Sequence, residues 1–366
     1  MRYLLALLTI GLLAGCSSAG NGSGNNSEIP ANSSFARRAS SVQSTSMPAA
    51  PIYVLHNTRP PWLHGGGPVL VGIYADNGTS VSYRVGDVTD NSAQQVAVDG
   101  LGRLYVLNSF STTASAVAVY SPWGRQLRYT ISVPGRAYNI ALDGSRNLYV
   151  QYLAGGAGGP EDISVYAPGS TTAPRIIQLE GTAEEVVAPS GTIYAAAYGS
   201  GNNAQITVYP AGHAKPSYSF TIAGPNPYVW SFQTDQSSNF YVTNLSPNIL
   251  EYAPGSTTPT RTLTTGSEIP HLMSFDSNGN LYVSDSDGTI LYFQSGSTTP
   301  SYTIPAYEGL SPITSLATDP FGGVFAVYDG GNKVPVTYYG SGSSTPQPLV
   351  GKMYWFGQVA VGKPYQ

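Results

Sequence analysis

A pattern of strand, tight turn and strand recurs along most of the 366-residue chain. Its clearest copy is residues 275–283, where an Asp/Asn/Gly cluster separates two largely apolar stretches, as is typical of a β-hairpin. The second stretch carries an aromatic residue between apolar ones, and this aromatic position recurs at Tyr53, Tyr105, Tyr149, Tyr194, Tyr241, Tyr282 and Phe325. A spacing of about 40 to 50 residues predicts a repeat architecture.

An aspartate precedes the aromatic position by about six residues in most repeats. The aspartates are Asp99, Asp143, Asp235, Asp276 and Asp319, and Pro189 takes this place in one repeat. A short carboxylate at the start of a turn can accept hydrogen bonds from the backbone amides that follow. The aspartate therefore predicts the hairpin turn between the first and second strands of each repeat.

Each repeat contains two further strand-like segments. A third segment ends in an aromatic residue and a Pro/Gly/Ser/Thr turn, such as residues 253–256, and a more polar fourth segment follows, such as residues 261–263. Four short antiparallel strands per repeat are typical of a β-propeller blade. The recurring Gly-Ser-Thr-Thr-Pro segments are interpreted as turns held by proline and hydroxyl groups.

Counting these strands predicts an all-β, seven-bladed β-propeller with four-stranded antiparallel blades over residues 51–366. The domain begins on a second strand at Ile52, and residues 358–362 match the first strand at residues 95–99. We therefore expect the C-terminal strand to complete the N-terminal blade and close the ring. The alternative count is six blades, with residues 52–85 as an appendage.

The repeats resemble a known group of propeller repeats. Tyr241-Val242-Thr243-Asn244, together with the Asp-x-x-Gly-x-Leu-Tyr-Val pattern, is similar to the YVTN and NHL-type repeats of bacterial proteins. The resemblance covers roughly residue 51 to the end and implies the propeller fold. Such propellers serve as binding platforms, as scaffolds and in some cases as enzymes, so the resemblance leaves the activity open.

The first 50 residues predict a targeting signal and a tether rather than a folded domain. Arg2 precedes an apolar run at residues 4–13, and Leu13-Ala14-Gly15-Cys16 follows, which resembles the bacterial lipoprotein signal. This resemblance implies a signal peptide at residues 1–15 and a lipid on Cys16. Residues 16–50, rich in Ser, Asn, Gly and Ala, predict a flexible tether to the domain. The alternative is an ordinary secretory signal that happens to contain a cysteine.

The composition excludes some classes of partner and bond. Charged residues make up 10% of the chain, the formal net charge is −4 and the pI is about 5.5. No basic footprint for nucleic acid is present. Cys16 is the only cysteine, so the domain contains no disulfide.

Antiparallel order places the start of each first strand and the end of each second strand on one face, at the predicted channel mouth. The binding candidates at these positions are Gln94, Tyr138, Asn139, Glu184, Glu185, Trp230, His271, Asn108, Asn244 and Asp285. Further residues at these positions are His56, Asn57, Gln95, Ser231, Thr314, Ser315, Asp329 and Gln358. They suit a small polar ligand or a loop of a partner protein. Alternatively, they cap strand ends and bind channel water.

His271 is the candidate catalytic residue. It shares the predicted mouth with Glu268 and Asp285, and an imidazole with two carboxylates can hold a divalent cation or act as a general base. The segment Ile269-Pro270-His271, with Asp285 downstream, resembles the streptogramin lyase propellers, which implies a metal-dependent lyase. A lactonase with a calcium site is a second enzymatic alternative, and Glu184, Glu185, Asn108 and Asn244 are its candidate ligands.

These observations predict an extracytoplasmic, lipid-anchored protein of the bacterial envelope, at the outer membrane where the cell has two. The propeller is expected to be a monomeric, non-catalytic binding or scaffold module for an envelope protein or a small polar ligand. The alternative is a metal-dependent lyase or lactonase that uses Ca²⁺ or Mg²⁺ at the channel mouth. Asp285-Ser286-Asp287-Gly288 begins like a calcium loop but is interpreted as a plain hairpin turn.

Overall fold

The structure is a computed structural model that describes residues 51–57, 69–75, 93–109, 113–156, 158–179, 183–198, 204–222, 229, 231–244, 246–266, 269–328, 336–350 and 354–361. The described residues fall within one unit of the chain, Ser46–Gln366. Among them, no helix is long and apolar enough to cross a bilayer.

Short strands and two single turns of 3-10 helix form the regular structure of the described residues. The first strands in chain order are β1 (Pro51–Asn57), β2 (Val69–Ala75), β3 (Ala93–Val98), β4 (Leu104–Ser109), β5 (Ser115–Tyr120), β6 (Leu127–Val133), β7 (Gly135–Leu142), β8 (Leu148–Ala154), β9 (Glu161–Tyr166) and β10 (Arg175–Gln178). They are followed by β11 (Ala183–Val187), β12 (Ile193–Tyr198), β13 (Ala204–Tyr209), β14 (Tyr218–Thr221), β15 (Ser231–Thr234), β16 (Phe240–Thr243), β17 (Asn248–Tyr252) and β18 (Arg261–Thr264). The last are β19 (Pro270–Phe275), β20 (Leu281–Asp285), β21 (Ile290–Phe293), β22 (Tyr302–Ile304), β23 (Ile313–Thr318), β24 (Val324–Tyr328), β25 (Val336–Tyr339), β26 (Gln347–Val350) and β27 (Tyr354–Val361). The 3-10 turns are η1 (Pro122–Gly124) and η2 (Tyr307–Gly309).

The prediction of seven four-stranded blades is wrong. The described residues form six four-stranded antiparallel blades, from β3–β6 through β23–β26, and a separate three-stranded sheet in the order β2-β1-β27. The strand count assigned four strands to the sheet that contains β1, whereas this sheet has three strands over the described residues. The fourth strand that the sequence predicts after Ala75 lies outside the described residues.

The first and last strands of the described residues meet in the three-stranded sheet. β27 pairs antiparallel with β1, with Val359 opposite Val54 and Val361 opposite Ile52. The first strands of successive sheets contact one another in the order β3, β7, β11, β15, β19, β23 and β27, and β27 contacts β3. These first strands therefore line the inside of a closed ring, as in a β-propeller.

The ring has two faces, which we name by their structure. The turn face is where first strands end and second strands begin, and it also carries the turns between third and fourth strands. The mouth face is where first strands begin and second strands end.

The aspartate turns on the turn face share one set of hydrogen bonds. In the turn of Asp276, one carboxylate oxygen accepts the backbone N–H of Asn278 and of Asn280, both at 2.9 Å, and the other accepts the Asn280 amide at 2.8 Å. The bond from the backbone N–H four residues on recurs at Asp99, Asp143, Asp235 and Asp319, and the bond from the N–H two residues on recurs at Asp99, Asp235 and Asp319. The predicted role of the aspartate in the turn is confirmed.

The Gly-Ser-Thr-Thr-Pro segments also form nearly identical turns on this face. In each, the serine hydroxyl donates to a threonine carbonyl two residues later, as Ser256 does to Thr258 at 2.6 Å. The preceding glycine has a positive φ of 82° at Gly255, a conformation that other residues rarely adopt. The interpretation of these segments as structural turns is confirmed.

The core lies between neighbouring sheets and is built from the aromatic position of the second strands. Tyr194 stacks on Phe240 of the next sheet with ring centroids 4.6 Å apart. Its hydroxyl donates to the Ser238 carbonyl of that next sheet at 3.5 Å, and Tyr282 donates likewise to Gly322 at 2.6 Å. Each buried ring contributes about 1.5–3 kcal/mol by leaving water, so the same residue builds one sheet and joins it to the next.

Candidate functional site

The mouth face brings together the strand ends that the sequence assigned to it. Ala93 pairs with Asn108, Ser231 with Thr243, and Pro270 with Asp285, so first-strand starts lie opposite second-strand ends. This common placement follows from antiparallel order. It puts the candidates on one face without requiring that their side chains converge.

A β-bulge recurs at this face. The register between first and second strands shifts at Gln94, Tyr138, His271 and Thr314, each of which stands five residues before its aspartate. A bulge inserts one extra residue and re-aims its side chain. No such shift occurs in β11, where Glu184 is in regular register opposite Ala196. Four blades therefore present their mouth residue from a bulge.

Neighbouring hydroxyl groups hold two of these bulges. The Ser284 hydroxyl accepts the backbone N–H of Leu272 at 3.0 Å, beside His271. The Thr314 hydroxyl donates to the Val327 carbonyl at 3.2 Å. The extra residue of a bulge interrupts the ladder, so these side chains replace backbone bonds that the ladder cannot make there.

The residues just after the bulge position join neighbouring sheets. The Gln358 side chain accepts the backbone N–H of Val96 at 2.8 Å, and the Ser315 hydroxyl accepts that of Val359 at 3.1 Å. The Gln95 side chain donates to Asn139 at 2.8 Å and accepts the N–H of Ile140. We call these four side chains, Gln95, Asn139, Ser315 and Gln358, the inner belt.

The inner belt assigns a structural role to part of the predicted mouth. The first strands have a free inner edge, whose N–H groups would otherwise need water. The belt side chains satisfy some of these groups and tie consecutive sheets together. Asn139, a predicted binding residue, is therefore held by Gln95 in this network.

Most other candidates take part in local contacts at strand ends. Asn108 donates to the Val106 carbonyl at 3.2 Å, and Asn244 accepts the Ser246 hydroxyl at 2.5 Å. Glu185 is buried, whereas Gln94 and Tyr138 are half-buried. Trp230 and Glu268 lie outside the described residues. The bonds of Asn108 and Asn244 match the interpretation that mouth residues cap strand ends.

His271 and Asp285 lie at the same strand ends but in different environments. His271 is half-buried, and burial lowers the pKa of its imidazole below the usual value. Its neutral form is therefore favoured at neutral pH, as a general base requires. Asp285 is 1% exposed, and one of its carboxylate oxygens accepts the Thr289 hydroxyl at 3.4 Å.

The segment from Asp285 to Thr289 is a hairpin turn, as predicted. The Asp285 N–H donates to the Thr289 carbonyl at 3.0 Å, and the Gly288 N–H donates back to Asp285 at 3.1 Å. The Asp287 carboxylate accepts the Thr289 N–H at 2.8 Å. Both aspartates thus bond within the turn. Over the described part of the chain, no three His, Cys, Asp or Glu residues are grouped as metal ligands would be, although Glu268 is not among the residues covered.

The sequence patterns did not predict a buried polar cluster near the mouth face. The Gln151 amide donates to the Glu161 carboxylate at 3.2 Å, and both side chains are buried. At the neighbouring Asp162, burial raises the carboxyl pKa, and a hydrogen bond with Tyr152 partly offsets the rise. The only sequence signal was an acidic pair, Glu161-Asp162, at the start of a strand that otherwise reads as apolar.

The comparisons with known proteins support the fold. No protein-family model matches the chain, and no curated protein matches it. Among solved structures, it is similar to the β-propeller domain of Cps50 (Swd1) from Myceliophteria thermophila. The TM-score is 0.53 over 72% of this chain and 85% of that chain, with 8% sequence identity. The chain is a β-propeller.

Proposed function

We propose that this β-propeller is a non-catalytic binding or scaffold module. The observation that carries the proposal is the set of four bulges at the mouth. Gln94, Tyr138, His271 and Thr314 occupy equivalent positions on a rigid ring and differ in every case. Polar and aromatic side chains of different chemistry, held on a stiff frame, suit recognition of one partner surface or one polar ligand.

We further propose that the protein is a lipoprotein of the bacterial envelope, anchored through a lipid on Cys16. The support is the sequence alone: an apolar run at residues 4–13 followed by Leu-Ala-Gly-Cys, and a polar stretch to residue 50. The similarity of the repeats to YVTN and NHL-type repeats supports the same setting. The outer membrane is favoured where the cell has two membranes, and the module acts as a monomer.

The lipid anchor is tested by metabolic labelling with radioactive palmitate. The wild-type protein should carry the label and be recovered in the membrane fraction. Cys16→Ser should lose both properties, and Ser17→Ala, the neighbouring control, should keep them. An unlabelled wild-type protein would overturn the anchor.

The binding role is tested by photo-crosslinking in the native envelope. A photoreactive amino acid at position 94 or 314 should give discrete protein adducts, because both positions are bulged at the mouth. The same amino acid in place of the exposed Thr258 on the turn face is the control. Adducts from neither mouth position, or the same adducts from all three, would contradict a mouth-face partner.

A metal-dependent lyase or lactonase is the second candidate, favoured by the lowered pKa of His271. Its ion would be Ca²⁺ or Mg²⁺, with Asp285 and Glu268 as the other proposed ligands. Calorimetric titration with each ion should then show stoichiometric binding that His271→Ala abolishes. Absence of binding by the wild-type protein would overturn this candidate.

A further inference from the structure

The chain enters the propeller on the turn face. Residues 1–50 connect to β1 at Pro51, and β1 is a second strand that starts on that face. The η1 turn lies beside this entry, because the backbone N–H of Trp123 donates to the Tyr53 hydroxyl at 3.0 Å. The turn that contains Leu101 is adjacent as well, since a Cβ on Gly102 would lie 3.6 Å from Pro122.

Exposed apolar side chains are concentrated at the same end of the molecule. The large apolar residues exposed among those described are Leu101, Leu127, Ile176 and Phe321. Leu101 and Phe321 lie in aspartate turns, at 60% and 54% exposure. Leu127 begins the fourth strand β6, opposite the end of β5, and Ile176 is the second residue of the fourth strand β10, opposite Ser164 near the end of β9. All four therefore lie at or next to the turn face.

Exposed charges divide between the two faces by sign. Arg125, Arg128 and Lys215 are exposed and lie at the turn-face end, in or beside turns between third and fourth strands. The exposed carboxylates of the described residues, Asp287 and Glu308, lie in connections at the mouth face. The net charge of −4 gives no general attraction to an anionic surface, so any such attraction depends on orientation.

We propose that the turn face docks on an anionic lipid surface, with Leu101 and Leu127 in the interface and Arg125 and Arg128 against the headgroups. Apolar side chains combined with basic ones are the chemistry of interfacial binding, and a covalent lipid gains stability from a second, basic membrane contact. This inference rests on the proposed lipid anchor. It adds which face meets the membrane, and it leaves the mouth face directed away from the bilayer.

The predicted tether is compatible with this orientation. The 34 residues from Ser17 to Ala50 would span roughly 30 Å root-mean-square as a flexible Gly/Ser-rich chain. The anchor therefore holds the turn face, where the tether arrives, close to the bilayer at high effective concentration. Weak interfacial contacts are sufficient to set orientation under those conditions.

The test uses the full chain, expressed in a bacterium, recovered from membranes and reconstituted in phosphatidylglycerol/phosphatidylcholine vesicles. A single new cysteine carries an environment-sensitive fluorophore, since lipidation occupies the sulfur of Cys16. Leu101→Cys is the probe, and Ser286→Cys, exposed on the mouth face, is the matched control. We expect the Leu101→Cys fluorophore to shift to shorter wavelength and to be quenched by doxyl-labelled lipid, whereas the control shows neither effect.

Charge variants in the Leu101→Cys background test the basic contribution. Arg125→Gln with Arg128→Gln should abolish the quenching, and Arg125→Lys with Arg128→Lys should retain it. The Leu101→Cys protein with both arginines intact should show less quenching in vesicles of phosphatidylcholine alone than in anionic vesicles. Equal quenching in neutral vesicles would overturn the role of anionic lipid.

The outcomes distinguish a failure of turn-face docking from a failure of the lipid anchor on which it rests. Recovered, anchored protein whose Leu101→Cys fluorophore stays in water, or matches the control, would overturn the inference alone. A shift that depends on protein concentration and not on vesicles would instead indicate a second copy of the chain, and would also overturn it. Protein absent from the membrane fraction would overturn the lipid anchor, and the inference with it.

Discussion

Five aspartates on the turn face each accept the backbone amide four residues on, whereas the four bulge positions on the mouth face carry four different residues. Asp276 and Asp319 each accept the backbone amides two and four residues on. His271 and Thr314, in the same two blades, share only a register shift. Repetition on one face therefore builds the ring, and variation on the other gives it a particular surface.

Ring closure holds both faces in place, so its loss should have the largest effect on the stability of the domain. Deleting residues 358–366 removes the pairing of Val359 with Val54 and the belt bond from Gln358 to Val96. We expect the melting temperature, followed by circular dichroism, to fall by at least about 10 °C. Deletion of residues 364–366, beyond β27, is the control and should have little effect. An unchanged melting temperature in the longer deletion would contradict closure by β27.

Alkaline pH should weaken the aromatic contacts between sheets. Burial raises the pKa of Tyr53, Tyr149 and Tyr194 to about 12, from the ordinary value of 10.0. The folded state thus favours the protonated phenol, so this stability is fully present below pH 10 and is lost as the pH rises from 10 toward 12. Urea titrations at pH 8 and pH 11 should show a lower midpoint at pH 11. Tyr149→Phe should reduce the difference, and an identical difference in that variant would contradict the assignment.

Matched aspartates on the two faces should differ in stability. Asp276→Ala removes a carboxylate that is 2% exposed and accepts the N–H groups of Asn278 and Asn280, which we expect to cost about 3 kcal/mol. Asp287→Ala removes one bond in an exposed mouth-face turn and should cost under about 0.5 kcal/mol. Urea denaturation measures both. Equal losses of unfolding free energy in the two variants would contradict the distinction between the repeated turn of Asp276 and the individual turn of Asp287.

The inner belt should contribute less to stability than the turn of Asp276. Gln95→Ala removes the acceptor of the Ile140 N–H and the donor to Asn139, and we expect a cost of about 1–2 kcal/mol. Gln94→Ala, at the adjacent bulge, is the control and should change stability little. A Gln94 variant as destabilised as the Gln95 variant would show that the bulge residue is structural too.

Acidification should produce the smallest change in stability, and this change should depend on His271 on the mouth face. Burial lowers the pKa of His271, so the unfolded state binds its proton more readily. Stability from this residue is present above about pH 6.5 and declines as the pH falls below that value. The urea midpoint should drop less between pH 7 and pH 5.5 in His271→Gln than in the wild type. An equal drop in the two proteins would contradict the burial of His271.

The sequence predicted the features that depend on local chemistry. An aspartate followed by amides, or a serine followed by a threonine carbonyl, forms its turn wherever it occurs, so the turns of Asp276 and Ser256 were predictable. Strand order and the pairing of β27 with β1 followed from the spacing of the repeats. The number of complete blades did not, because the sequence assigned a fourth strand to the sheet that contains β1, and this sheet has three strands over the described residues.

The candidate site was predictable in its location but not in its detail. Antiparallel order alone places His271 and Asp285 at one face. The bulges and the inner belt were missed, because a polar residue in an inner strand has the same pattern whether it faces the channel or the next sheet. Gln95 and Asn139 therefore looked alike in sequence to free binding residues, although they bond to each other.

Hydrogen–deuterium exchange of the lipid-anchored protein tests the division between the two faces most directly. Exchange is compared between anionic vesicles and detergent micelles. We expect vesicles to protect amides near Leu101, Leu127 and Phe321 on the turn face, and to leave those near His271 and Thr314 unchanged. Protection of the mouth-face segments instead, or equal exchange in vesicles and micelles at both sets of residues, would contradict this assignment of the faces.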